Sequence, residues 1–197
     1  MKNIRPCIVL FLILTAVTGV LYPAAVTAVA QLFFSDKANG SLIRQGDEFR
    51  GSLLIGQKFT SAAYFFPRPS ASNYSALPSA ASNQGPTSDS LKRAVEERRK
   101  HLAQYISGAI PADLLLASGS GLDPHISPGA ALAQVGHVAK SRHLSGEQTV
   151  RLKELVTRSI EGPQMGIFGA PRVNVLKLNM ETDRMFGIPK TDGDERR

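Results

Sequence analysis

The chain has 197 residues, a formal net charge of +7, four scattered histidines and one cysteine, Cys7. That length allows one globular domain with its own core beside a short additional segment. A single cysteine excludes an intrachain disulfide, and without an aromatic-and-basic recognition pattern the cationic excess does not point to nucleic acid.

Between Arg5 and Asp36 no residue is charged, and the run is rich in Ile, Leu, Val, Ala and Phe. About thirty such residues exceed the roughly twenty that a helix needs to cross a bilayer core. Residues 1–35 are therefore predicted to be a short tip followed by one transmembrane helix, in which Gly19 and Pro23 are tolerable. Lys2, Arg5 and the α-amino group precede the run, whereas Asp36, Lys37, Arg44, Asp47, Glu48 and Arg50 follow it with nearly balanced charge. The positive-inside rule then places the N-terminus in the cytoplasm and the remainder outside it. The competing reading is a cleaved secretory signal, since Ala28-Val29-Ala30 has the small-x-small pattern of a cleavage site. Against it, the apolar character continues through Leu32, Phe33 and Phe34, and the run is longer than an ordinary signal core. Cys7 lacks the preceding residues of a lipidation site. The small residues Ala16 and Gly19 mark a face where another membrane helix can pack closely.

Residues 36–188 are predicted to form one extracytoplasmic domain of the α+β class, mixed in helix and strand, with 189–197 as a frayed tail. Without Lys2 and Arg5 this part keeps a net charge of +5, a balance suited to anionic headgroups or an acidic partner. Ser41 to Ile43 and Phe49 to Ile55 read as a hairpin turning at Gln45-Gly46-Asp47. The Ser, Ala, Pro, Asn and Gly stretch from Ser61 to Ser88 is a long loop, but Tyr64, Phe65, Phe66 and Tyr74 give it apolar material that disordered segments lack. Behind a candidate cap at Asp89, the residues Leu91, Ala94, Val95, Leu102, Tyr105 and Ile106 recur at helical spacing. Lys92, Arg93, Glu96, Arg99 and Lys100 form the opposite, solvated face. Leu114 to Ala117 is a short buried strand or helix. Ser127-Pro128 supplies a cap and a first-position proline for a helix to about Ser141. Ser145 and Gln148 fit a capping box opening a helix with Val150, Leu152, Leu155, Val156 and Ile160. Arg172 to Leu178 reads as a strand, with Val173 and Val175 on one face and Leu176 and Leu178 on the other.

No catalytic constellation stands out. Gly119-Ser120-Gly121 lacks the spacing of a nucleophile elbow, and no serine stands three residues before a lysine. Asp123 and His125 with Ser118 or Ser120 would make a hydrolytic triad, and the same pair would make two metal ligands, but no second cluster completes a metal site. A structured turn is more economical, with Asp123 bonding local amides and the glycines taking unusual backbone angles. An exported hydrolase or binding protein is the alternative from another class.

Five segments together resemble a known family. They are Gly51-Ser52-Leu53-Leu54-Ile55-Gly56-Gln57; Tyr64-Phe65 with Arg68-Pro69-Ser70; Ser82-Asn83-Gln84-Gly85-Pro86-Thr87; Ala117 to Pro128, ASGSGLDPHISP; and Pro171-Arg172-Val173-Asn174-Val175-Leu176. In this order, over nearly the whole chain, they resemble the C chain of the bacterial potassium-translocating P-type ATPase, the Kdp pump. Phe65-Phe66 before Pro67, and Ala81 in place of a common glycine, depart from the family pattern. The resemblance implies a non-catalytic, single-span subunit of the bacterial cytoplasmic (inner) membrane, with its domain on the periplasmic side. Its partners would be a channel-like potassium-binding subunit, a P-type ATP-hydrolysing subunit, a small hydrophobic subunit and membrane lipid. ATP and potassium would be handled by the complex, with no cofactor of this chain's own. The sequence agrees: Asp36-Lys37-Ala38-Asn39 is no phosphorylation motif, and neither a Walker A loop nor a carbonyl filter sequence is present. The implied role is to stabilise assembly. An alternative role is a catalytic chaperone that raises ATP affinity, with Ser145, Gly146 and Gln148 of the signature-like Leu144-Ser145-Gly146-Glu147-Gln148 as ATP contacts. The partner-interface candidates are Ala16 and Gly19 on the span and Tyr64, Phe65, Arg68, Asn83, Asp123 and His125 in the domain.

Overall fold

The computed structural model describes residues 4–45, 48–77 and 79–189. Gly46 and Asp47 of the expected hairpin turn, Lys2, and the tail beyond Pro189 lie outside the described residues. The chain divides into two compact units, residues 1–52 and 53–197.

In the first unit a 30-residue apolar helix, Ile4–Phe33, is long enough to cross a membrane. It consists of α1 (Ile4–Ala16), a π-helical turn (Val17–Leu21) and α2 (Tyr22–Phe33). The wide turn has a cause in Pro23, which has no N–H to give the carbonyl four residues back and whose ring crowds it. Tyr22 bonds Val17 O instead, and Thr18 Oγ1 donates to Leu14 O at 2.7 Å. A short α3 (Ser35–Ala38) leads into antiparallel β1 (Leu42–Gln45) and β2 (Glu48–Ser52). The paired Arg44 and Phe49 add a cation–π contact at 4.2 Å. The second strand stops at Ser52, not at Ile55, because Ser52 turns its hydroxyl back onto Gly40 O at 2.6 Å and the chain then bends.

The second unit holds five helices and one two-stranded ladder among its described residues: α4 (Asp89–Leu102), α5 (Ala112–Leu115), β3 (His125–Ile126), α6 (Pro128–Ser141), α7 (Gly146–Arg158), β4 (Val173–Asn174) and α8 (Val175–Phe186). Ser88, not Asp89, is the cap residue of α4; Asp89 sits inside the first turn, where a carboxylate complements the helix dipole. α6 and α7 begin as expected: Ser127 Oγ accepts from Ala130 N at 3.1 Å, and Ser145 and Gln148 form the reciprocal box. The core gathers Phe65 and Phe66 from the long loop, Leu114 and Leu115 from α5, Val135 and Val138 from α6, Leu152 and Val156 from α7, and Val175 and Leu178 from α8.

The expected strand over 172–178 is the main correction. Val173 and Asn174 pair with Ile126 and His125, and Arg172 makes a single bridge to Glu161, but the strand goes no further. In this antiparallel register the residue facing Val175 is Pro124, whose carbonyl accepts from Val175 N at 2.9 Å but which has no N–H to give back, so the ladder stops there. Asn174 Oδ1 accepts from Lys177 N at 3.1 Å and caps a helix instead. Val175, Leu178, Asn179 and Thr182 then bury one helical face.

Candidate functional site

Between β2 and α4 the stretch of the long loop around residues 63–67 runs through the interior of its unit, so its backbone polar groups need partners. Two buried amide side chains supply them. Asn179 on α8 accepts from Phe65 N at 2.8 Å and donates to Phe65 O at 3.1 Å. Gln134 on α6 accepts from Phe66 N at 2.7 Å and donates to Phe66 O at 3.2 Å. Together they replace a neighbouring strand.

The phenylalanine side chains are consequently core. Phe65 is 0% exposed, so the structure removes it from the surface candidates. Phe66 stacks on His137 at 5.0 Å between centroids. Burial lowers the His137 pKa, opposed in part by the bond between Nε2 and Tyr64 O at 3.3 Å. Tyr64 is half-buried. Its hydroxyl donates to Asp183 at 3.2 Å, and the Arg142 guanidinium lies 5.0 Å from its ring centre while pairing with Asp183 at 2.6 Å.

A second cluster assembles around the turn from Ser118 to His125. Ser118 N donates to Pro69 O, and Gly56 N donates to Leu122 O at 2.7 Å. A β-carbon on Gly56 would stand 2.7 Å from Asp123 O, and one on Gly121, where φ is +70°, would stand 2.8 Å from Ala80 O. Ser79 Oγ donates to Ser120 O at 2.7 Å. Asp123 joins the segments: Oδ1 accepts from His125 N at 3.0 Å and lies 3.5 Å from Nδ1, while Oδ2 pairs with Arg68 Nη1 at 3.0 Å. Burial pushes its carboxyl upward, but the His125 and Arg68 bonds outweigh this and hold it below the usual range. Tyr74, whose hydroxyl donates to Arg68 O at 2.8 Å, is pushed to about 12 by burial, against the opposing field of Arg98.

Arg68, Asp123 and His125 therefore stand together, and Tyr64 belongs to a separate group with Arg142 and Asp183. Asn83 is exposed with φ at +50°. Ser120 Oγ accepts from Leu122 N at 3.1 Å, so this hydroxyl and the Asp123 carboxylate both serve the turn. In the capping box, Ser145 N donates to Gln148 Oε1 at 2.9 Å and Gln148 N to Ser145 Oγ at 3.3 Å. Ala16 and Gly19 lie exposed on the apolar helix. Sequence reading missed Gln134 and Asn179. The available signal was a polar amide interrupting an apolar helical face.

A sequence model of the family described as K+-transporting ATPase, c chain (KdpC), matches residues 4–184. A protein of Polynucleobacter asymbioticus named potassium-transporting ATPase KdpC subunit is 49% identical over 190 residues, which cover 93% of this chain and 99% of that one. Proteins with the same name from Paraburkholderia phytofirmans and Dechloromonas aromatica are 48% and 50% identical, over 94% and 91% of this chain and 98% and 96% of their own lengths.

Proposed function

The chain belongs to the family of K+-transporting ATPase c chains, and on that premise we propose that it stabilises the assembly of a potassium pump without catalysing a step itself. It joins the channel-like potassium-binding subunit to the P-type ATP-hydrolysing subunit, beside the small hydrophobic subunit. ATP and potassium are bound by those partners. The N-terminus lies in the cytoplasm and the second unit on the extracytoplasmic side of the bacterial cytoplasmic membrane, as Lys2 and Arg5 before the apolar run suggest.

The observation that carries this reading is the locked loop cluster. Backbone around Gly56, Pro69, Ala80 and the 118–125 turn is fixed by close glycine approaches and by the Arg68–Asp123 pair. Ordering that much irregular backbone costs conformational entropy, and loops held rigid on a scaffold are where recognition is commonly placed. Arg68, Asp123, His125, Asn83 and the edge of Tyr64 make the surface that meets the channel-like subunit, and Ala16 and Gly19 form the helix contact. The chaperone alternative needs Ser145, Gly146 and Gln148 to meet ATP, yet the Ser145 hydroxyl and the Gln148 side-chain carbonyl each accept from the other residue's backbone N–H.

Expression of the other pump subunits with and without this chain tests the reading. Without it, the channel-like and ATP-hydrolysing subunits should cease to co-purify in detergent. Undiminished co-purification would overturn the assembly role. At residue level, Asn83→Gly, which removes the side chain but takes the positive φ without strain, should weaken retention of the chain in purified pump while its melting temperature changes little.

A further inference from the structure

The segment after α7 displays large apolar side chains on a turn built to hold them outward. At its base Glu161 and Arg172 exchange backbone bonds of 2.8 and 3.0 Å, and their side chains approach to 3.4 Å. Above this, Gln164 and Phe168 exchange bonds of 2.8 and 2.9 Å, while Gly166 N donates to Pro163 O and Ile167 N to Gln164 O, each at 3.1 Å. Met165 and Gly166 take left-handed backbone angles, φ +53° and +75°. Met165, Ile167 and Phe168 project at the tip, 91%, 78% and 64% exposed. A non-glycine residue held left-handed costs free energy, so this display is not what an unconstrained loop would adopt in water.

Two properties of the tip select its surroundings. From Gly162 to Pro171 no side chain carries charge, so moving the tip out of water brings no ionic desolvation penalty. The amides of Gln164, Gly166, Ile167 and Phe168 already have partners inside the turn, which is the condition that hydrocarbon imposes on backbone and that a polar partner surface does not. The same chain carries Ile4–Phe33, long and apolar enough to cross a bilayer.

We infer that the 163–169 tip inserts Met165, Ile167 and Phe168 into the headgroup–acyl boundary of the membrane that Ile4–Phe33 crosses, a second attachment to the lipid surface. This goes beyond the assembly role and holds whichever subunits the chain contacts. Interfacial insertion of this kind requires only one apolar face to enter the lipid.

The chain contains no tryptophan, so Phe168→Trp makes a single reporter. The full-length variant is placed in phosphatidylcholine nanodiscs whose acyl chains are brominated. Met165→Trp serves as a second reporter, and Leu77→Trp, at a site 89% exposed, as the water-facing control. Insertion predicts that either tip reporter emits at shorter wavelength than the control and loses most of its emission to the brominated chains, while the control does not. Water-like, unquenched emission from both tip reporters would overturn the inference. So would a blue shift without lipid quenching that arises only when the other pump subunits are added, which would assign the tip to a protein groove.

Discussion

Gly121 and Gly119 stand two residues apart in one turn but face different constraints. Gly121 has φ at +70° and backbone 2.8 Å from the position of a β-carbon, whereas Gly119 has open space. Gly121→Ala should therefore cost about 1–3 kcal/mol of stability, read by denaturation of the full chain, and Gly119→Ala should be nearly neutral. Equal effects would mean that the turn can relax around a side chain. His137 offers a pH test. Its pKa is lowered by burial below the ordinary 6.5, despite the bond to Tyr64 O. Below pH 6.5 the unfolded chain takes up a proton that the folded chain refuses, so stability falls as pH drops from 6.5 toward the lowered value. His137→Phe keeps a ring against Phe66 but has nothing to titrate; its melting temperature should depend less on pH across that window than the parent's.

At the scale of elements, the buried Phe65-Phe66 stretch of the long loop is held by hydrogen bonds that two helices lend it. Asn179→Leu leaves Phe65 N–H and C=O buried without these partners and should destabilise the chain by about 1–3 kcal/mol. Gln134→Leu should act likewise through Phe66. A neutral result for both would show that water replaces the amides. The start of α7 separates the two molecular roles. If Ser145 and Gln148 only cap the helix, Ser145→Ala should cost roughly 0.5–2 kcal/mol and leave the ATP dependence of the assembled pump unchanged. A weaker ATP affinity in a stable, fully assembled Gln148→Ala complex would instead favour nucleotide contact.

For the whole molecule, the decisive property is topology. A reporter active only outside the cytoplasm, fused after Gly187, should be active and membrane-bound with Met1 retained; an active, soluble product beginning at Gln31 would mean that the apolar run is a cleaved signal. The sequence by itself determined the features whose causes are local. The apolar helix follows from uncharged composition, and the starts of α6 and α7 follow from side chains that bond amides three residues on. The family was legible for a related reason, since the Ala117 to Pro128 run is long and specific. Tertiary structure decided everything that needs a distant partner. The 172–178 run has strand composition, but past Asn174 its ladder meets Pro124, which has no N–H to give, and Asn174 caps a helix instead. Phe65 looked like a surface anchor until Asn179, 114 residues away, met its backbone inside the core. Gly56 is required because Asp123 O passes beside it. Hydrogen bonds and close approaches across such separations leave no periodic trace in a single sequence, whereas a cap or an apolar span is written within a few consecutive residues.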